Sequence, residues 1–80
     1  MKSKTIKVSL DVTAKLAGKL SNALGQLSGS VHIQFGSKNV NGKSLMGVIS
    51  LMLKKGDNIL VYAEGDDADF ALQTVENLIG

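Results

Sequence analysis

Hydrophobic and polar residues alternate in four short stretches of this chain, a pattern typical of half-buried β-strands. The predicted strands are 5–10, 31–35, 38–40 and 59–63. In the first strand Ile6, Val8 and Leu10 share the face that we expect to be buried. In the last strand Leu60 and Tyr62 occupy positions that are polar elsewhere, so we expect them to be only partly covered.

Three further segments carry hydrophobic residues at helical spacing. The predicted helices run from Ala14 to the Ser-Gly-Ser sequence at 28–30, from Ser44 to about Leu53, and onward from 65–67. Their buried stripes are Ala17, Leu20, Leu24 and Leu27 in the first helix and Ala68, Leu72, Val75 and Ile79 in the third. Asp11 and Thr13 are both able to cap the first helix through a side-chain oxygen. Lys54, Lys55 and Gly56 predict the end of the second helix.

The order of these elements is strand, helix, strand, strand, helix, strand, helix. It predicts an α+β open-faced β-sandwich, in which three helices cover one face of a four-stranded, mostly antiparallel sheet. The uncovered face is expected to carry the polar residues Lys7, Ser9, His32 and Gln34. The chain contains no linker or internal repeat, so residues 1–80 are predicted to form a single domain.

Composition removes several classes of protein. Eighty residues allow one small core, and the absence of cysteine excludes a disulfide scaffold and a structural zinc finger. No apolar run is long enough to cross a membrane and the first residues do not resemble a signal peptide, so we expect a cytoplasmic protein. The net charge is only +2 and arginine is absent, which argues against direct nucleic-acid binding.

The residues that most enzymes depend on are scarce. His32 is the single histidine and lies in the middle of a predicted strand, where a solvated side chain is expected. With one histidine and no cysteine, the chain cannot assemble a zinc site or a nucleophile–imidazole pair. The acidic residues fall mainly in loops and in a first helical turn, where capping explains them. The sequence therefore predicts a non-enzymatic protein without a metal or a cofactor.

The second predicted helix is more hydrophobic than a helix on a sheet requires. Val48, together with Leu51 or Met52, would supply its buried stripe. Four apolar residues then remain in excess, Leu45, Met46, Ile49 and Leu53. Exposed apolar clusters often bind partners, so these four residues are predicted to form a partner surface. A generously hydrophobic core helix is the alternative explanation.

Residues 43–51, Lys-Ser-Leu-Met-Gly-Val-Ile-Ser-Leu, resemble the regulatory-serine helix of HPr, the histidine-containing phosphocarrier protein of the bacterial sugar phosphotransferase system. Val40-Asn41 and the sequence Val-Tyr-Ala-Glu-Gly at 61–65 also fit that family's pattern. The chain is therefore similar to the HPr family along its whole length, and the resemblance implies an HPr-like fold.

The chain departs from the family's pattern around its phosphate site. Family members carry Gly-x-His-Ala-Arg-Pro-Ala where this chain has Asp-Val-Thr-Ala-Lys-Leu-Ala at 11–17. The resemblance thus places Thr13 at the phosphoryl-accepting histidine, Lys15 at the arginine and Leu16 at the proline. A threonine phosphate is a stable ester, and a neutral hydroxyl is a poor nucleophile without a base. We therefore expect no phosphohistidine relay, and we expect Thr13 to serve chiefly as a helix cap.

Ser44 matches the serine that an ATP-dependent kinase phosphorylates in some members of the family. The modified protein then acts as a corepressor with a catabolite-control transcription factor. Histidine-less relatives, the Crh-type proteins, keep only this regulatory role. The resemblance implies the same logic here, with HPr kinase, that transcription factor or other phosphotransferase components as partners.

Two other functions are open from the sequence. The chain could dock phosphotransferase components as a competitor or scaffold through its apolar surface, or it could bind a small anion at Thr13, Ala14 and Lys15. A monomer is expected, and a dimer stays open.

Overall fold

The structure is a computed structural model that describes all residues, 1–80. Its elements in chain order are β1 (Lys2–Lys7), α1 (Ala14–Gly25), β2 (Val31–Phe35), β3 (Lys38–Asn41), α2 (Leu45–Ser50), β4 (Asn58–Ala63) and α3 (Ala68–Ile79). The predicted order of elements is therefore confirmed.

One four-stranded sheet organises the molecule, with strand order β1-β4-β2-β3 and every neighbouring pair antiparallel. The predicted α+β sandwich is confirmed. Buried residues of the strands face the three helices in one continuous core. The largest fully buried side chains include Ile6, Leu20, Ile33 and Ile79, which come from β1, α1, β2 and α3.

The face of the sheet that the helices leave open is mainly polar. A row across it joins Ser3, Tyr62, His32 and Asn41 through the register of the four strands. The rings of His32 and Tyr62 stack with centroids 5.3 Å apart, and Asn39 donates a hydrogen bond to the Tyr62 hydroxyl. Leu60 on the same face is exposed and Tyr62 is half-buried, which matches their predicted partial cover.

The first strand lies three residues earlier than its predicted position at 5–10. Antiparallel pairing with β4 starts at Lys2, which lies opposite Ala63, and ends at Lys7. Lys2 and Lys4 occupy core-facing positions and reach Asp69 and Glu76 on α3 with their ammonium groups, so this part of β1 shows no hydrophobic alternation.

Beyond Val8 the chain turns away from the sheet, because the Ser9 amide donates to the Ile79 carbonyl at the end of α3 (2.9 Å). Leu10 is therefore 39% exposed. The alternation had predicted that Leu10 shares the buried face of Ile6 and Val8, and this prediction is wrong.

Helix α2 is shorter than its predicted span of 44–53. It ends at Ser50, Leu51 is its C-cap, and Met52 then has a positive φ of 51°. The lysines that were expected in its last turn lie beyond it, and Gly56 belongs to a separate turn in which its amide donates to the Val8 carbonyl (2.8 Å). The change of direction at Met52 brings Leu53 back into the core.

Two loops cross closely at one end of the sheet. A β-carbon on Gly29 would lie 1.7 Å from the Glu64 carbonyl oxygen, and one on Gly65 would lie 2.8 Å from the Gly29 Cα. The Asp67 carboxylate, at the N-cap of α3, accepts from the Ser28 amide at 2.9 Å and from the Ser28 hydroxyl at 3.2 Å. We call this crossing of residues 28–30 and 64–67 the loop clasp.

Asp67 makes the loop clasp sensitive to acid. The hydrogen bond from the Ser28 amide is the main reason that the pKa of Asp67 lies below its ordinary value; the Gly29 amide adds to this effect, and desolvation of the carboxylate opposes it. Because the pKa is lowered in the folded state, the stability that Asp67 contributes is complete above its unfolded-state pKa of ~3.9 and is lost as the pH falls through the folded-state pKa.

We expect Asp67→Asn to lower Tm at neutral pH and to flatten the fall in Tm between about pH 5 and about pH 2, since the variant has no carboxylate to protonate. Thermal unfolding followed by circular dichroism across this range tests the expectation. Asp66→Asn is the matched control, because Asp66 is exposed. A profile for Asp67→Asn that is parallel to that of the parent chain would show that the clasp carries none of the pH dependence.

Candidate functional site

The first candidate hydroxyl lies at the N-terminus of α1. Thr13 is the N-cap, with extended backbone angles, and its Oγ1 accepts a hydrogen bond from the Leu16 amide at 3.2 Å. The predicted capping role of Thr13 is therefore present in the structure. Asp11, the other predicted cap, instead accepts from the Lys55 amide at 2.9 Å.

A shallow, open depression of about 330 Å³ lies beside this helix end. It is lined by Leu10, Asp11, Thr13, Lys15, Leu16 and Lys19. Of the three residues predicted to hold a small anion, Thr13 and Lys15 line the depression and Ala14 does not. Lys15 is exposed, and its charge suits an anion more than a neutral ligand.

Thr13 has no imidazole base beside it. The single histidine, His32, is on the opposite face of the sheet, where its ring stacks on Tyr62. The carboxylate nearest to Thr13 in sequence, that of Asp11 two residues earlier, accepts a hydrogen bond from the Lys55 amide. A neutral hydroxyl in such surroundings is a poor nucleophile.

The second candidate hydroxyl is that of Ser44, which caps α2. Its Oγ accepts from the Gly47 amide at 3.1 Å, and the side chain is half-buried. Gly47 permits this close arrangement, because a β-carbon there would lie 3.2 Å from Val40 and 3.3 Å from the serine Oγ. The neighbouring Lys43 extends its ammonium to the Leu27 carbonyl, 2.7 Å away, and so ties the start of α2 to the segment after α1.

Two of the four residues predicted to form a partner surface are exposed in the structure. Leu45 is 43% exposed and Met46 is 73% exposed, as expected. Ile49 is half-buried and packs against the core. The prediction that Leu53 lies on the surface is wrong, because the turn at Met52 directs its side chain inward and leaves it 1% exposed.

Two further apolar residues near these helix ends are exposed, Met52 at 69% and Leu10 at 39%. Hydrophobic spacing had given Leu10 a buried position and had left Met52 as an alternative to Leu51 in the buried stripe. Helical spacing gave little indication that Met52 is exposed. A helix that continued to residue 53 would have pointed the Met52 side chain in a different direction. We use the name apolar ridge for Leu10, Leu45, Met46 and Met52.

Hydrogen bonds join the loop that precedes α1 to the segment that follows α2. The Val12 amide donates to the Leu53 carbonyl at 3.0 Å, and the Asp11–Lys55 hydrogen bond lies beside it. These contacts hold the capping loop of α1 against the segment that follows α2. The depression at Thr13 therefore adjoins the segment that follows α2.

No group of three or more histidine, cysteine or acidic side chains is placed to hold a metal ion. None of the three helices has the length and hydrophobicity that a membrane span requires.

The structure is that of a small α+β protein in which side-chain hydroxyls cap the N-termini of α1 and α2. Over residues 1–80 the chain matches the family described as the PTS HPr component phosphorylation site. The chain therefore belongs to the HPr family of the phosphotransferase system, whose members are phosphocarriers and not enzymes.

Solved structures agree with this assignment. The phosphocarrier protein HPr from Bacillus anthracis is 28% identical and superimposes with a TM-score of 0.93, over 99% of this chain and 96% of that one. HPr-C-His from Thermoanaerobacter tengcongensis is 31% identical, with a TM-score of 0.89 over 99% of this chain and 91% of that one.

The catabolite repression protein Crh from Bacillus subtilis is also similar, at 29% identity and a TM-score of 0.70, over 85% of this chain and 76% of that one. Its structure is a dimer with a swapped domain.

Proposed function

We propose that this chain is a regulatory protein of the phosphotransferase system that acts in the cytoplasm, in carbon catabolite control, through phosphorylation of Ser44. It does not carry phosphohistidine. The observation that carries this proposal is the contrast between the two helix caps. Ser44 caps α2 within the segment that resembles the family's serine helix, whereas Thr13 caps α1 at the position that the resemblance assigns to the accepting histidine.

A relay through Thr13 would need a reactive phosphate. Phosphohistidine is a phosphoramidate and transfers its phosphoryl group readily, but a phosphothreonine is a stable ester. The Thr13 hydroxyl already accepts from the Leu16 amide and has no imidazole to activate it. Lys15 supplies a single point charge where the family has the bidentate donor arginine. These differences support loss of the carrier function.

Phosphorylation of Ser44 would change the surface on which it lies. A kinase would form a bond between the Ser44 Oγ and the γ-phosphorus of ATP, ADP would leave, and the hydroxyl proton would pass to the kinase or to solvent. The product carries about −1.5 to −2 charges at neutral pH. Because Leu45 and Met46 are exposed immediately after Ser44, the new charge would adjoin apolar contacts. A partner such as a catabolite-control transcription factor is able to read this combination.

We expect incubation with HPr kinase and ATP to add the mass of one phosphate to the parent chain and to leave Ser44→Ala unmodified, as measured by intact-protein mass spectrometry with peptide mapping. Loss of the cap is also expected to lower the free energy of unfolding of Ser44→Ala by about 1 kcal/mol. The control is Ser50→Ala, which removes an exposed hydroxyl at the other end of α2 and should be phosphorylated like the parent. Equal modification of Ser44→Ala and the parent would overturn the proposal.

Docking without phosphorylation is the second candidate, and the exposure of Leu45 and Met46 favours it. In this function the chain would occupy a phosphotransferase component such as enzyme I as a competitor. A parent chain that stays unmodified by the kinase but binds enzyme I, with binding abolished in Met46→Glu, would support this candidate over the first.

A further inference from the structure

Lys43, the residue immediately before Ser44, has its side chain bound to a distant part of the chain. Its ammonium donates to the Leu27 carbonyl at 2.7 Å, and the residue is half-buried. The backbone around it is fixed as well, because the Lys43 amide donates to the Asn41 side-chain oxygen at 2.9 Å. Neither of the two ion pairs of the molecule involves Lys43, so its charge has no acidic partner.

The Leu27 carbonyl belongs to the same peptide group as the Ser28 amide. That amide donates to one Asp67 carboxylate oxygen at 2.9 Å, and the Gly29 amide donates to the other at 3.4 Å. Because a peptide group is planar and rigid, its oxygen and its N–H turn together. Lys43 therefore holds, from one side, the peptide that the loop clasp holds from the other.

A phosphate on Ser44 would compete with the Leu27 carbonyl for the Lys43 ammonium. Phosphoserine carries about −1.5 to −2 charges and three acceptor oxygens. A hydrogen bond from an ammonium to a phosphate is roughly twice as strong as one between neutral groups. The two side chains belong to adjacent residues, whose Cα atoms are ~3.8 Å apart, and the lysine stem is flexible.

We propose that Lys43 couples phosphorylation of Ser44 to the loop clasp. In the unmodified chain its ammonium holds the Leu27–Ser28 peptide. In the phosphorylated chain the ammonium turns to the phosphate, and the hydrogen bonds from Ser28 and Gly29 to Asp67 open more often. The modification thereby loosens the connection between α1 and β2 and the start of α3. The inference rests on the proposed function, since it states what modification of Ser44 does inside the chain.

A chain with phosphoserine incorporated at position 44 during translation tests the coupling without a kinase. Hydrogen exchange of the Ser28 and Gly29 amides, followed by ¹⁵N NMR, is expected to be about tenfold faster than in the parent chain. Lys43→Met keeps the length of the side chain but removes the ammonium. It should show the same acceleration without a phosphate, and phosphoserine should add less than about twofold to it.

The ³¹P signal of the phosphoserine reports its contact with Lys43. A neighbouring ammonium favours the doubly charged phosphate, so the ³¹P titration midpoint should lie at lower pH with Lys43 than with Lys43→Met. Lys38→Met is the matched control. Lys38 also donates to a carbonyl, that of Ser50, at 3.0 Å, but at the other end of α2. Its replacement should change neither the exchange rates of the clasp nor the midpoint.

Unchanged exchange at Ser28 and Gly29 in the phosphoserine chain would overturn the coupling, and so would an equal ³¹P midpoint in Lys43→Met. A chain that HPr kinase leaves unmodified at Ser44, but in which phosphoserine accelerates exchange as expected, would overturn the proposed function and uphold the coupling. A chain that the kinase modifies at Ser44 without any change in exchange would overturn the coupling alone.

Discussion

Replacing Gly29 by alanine is expected to lower the free energy of unfolding by about 3 kcal/mol and Tm by more than about 10 °C. The new β-carbon would lie 1.7 Å from the Glu64 carbonyl oxygen, and 3.1 Å from the Gly65 Cα. Both atoms belong to the backbone, so no rotation of a side chain relieves the clash. The two loops must separate, and the hydrogen bonds of Asp67 to Ser28 and Gly29 weaken with them.

Thermal and urea unfolding of the variant measure this loss. Gly18→Ala is the matched control, because Gly18 lies inside α1 and a β-carbon there meets no atom within 4 Å. That substitution should raise stability by about 0.5–1 kcal/mol, since alanine favours a helix over glycine. If both variants unfold like the parent chain, the loops do not cross as closely as the structure shows.

Leu53→Ala is expected to cost about 3 kcal/mol, although hydrophobic spacing had placed Leu53 on a partner surface. The side chain is 1% exposed and belongs to the main core, so its removal leaves a cavity as well as losing buried area. Met46→Ala is the comparison, because Met46 is 73% exposed and its removal should change stability by less than about 0.5 kcal/mol.

Urea unfolding of the two variants side by side decides which residues form the surface. Similar, small losses would mean that Leu53 is exposed and that the predicted partner surface was right in full. A loss of stability that is several times larger for Leu53→Ala than for Met46→Ala would show that Leu53 is buried. The exposed apolar residues would then be those of the apolar ridge.

Most of the fold could be predicted because local signals agreed with the final structure. The capping residues Thr13 and Ser44 stand where their helices begin, and alternation in β2 and β4 matches their buried faces. The misplaced β1 has a different cause. Lys2 and Lys4 face α3, and their long side chains carry the charges past the apolar core to Asp69 and Glu76. No local pattern reveals that contact.

The candidate site was predictable in its residues but not in its shape. Ser44 and Thr13 follow from cap chemistry and from the resemblance of residues 43–51 to the family. The length of α2 does not follow, because a methionine in a left-handed conformation contradicts local propensity. That single residue decides which apolar side chains reach the surface. Helical spacing alone therefore predicted Leu53 at the surface, where the structure has Met52.

The position of β1 at the edge of the sheet also has a consequence for synthesis of the chain. Lys2 pairs with Ala63, and β1 contacts no other strand. During translation the first strand must therefore wait, unpaired, until β4 has left the ribosome, while the hairpin of β2 and β3 is able to form earlier. Its lysines, which later pair with α3, keep this waiting segment charged and so hinder premature association with other nascent chains.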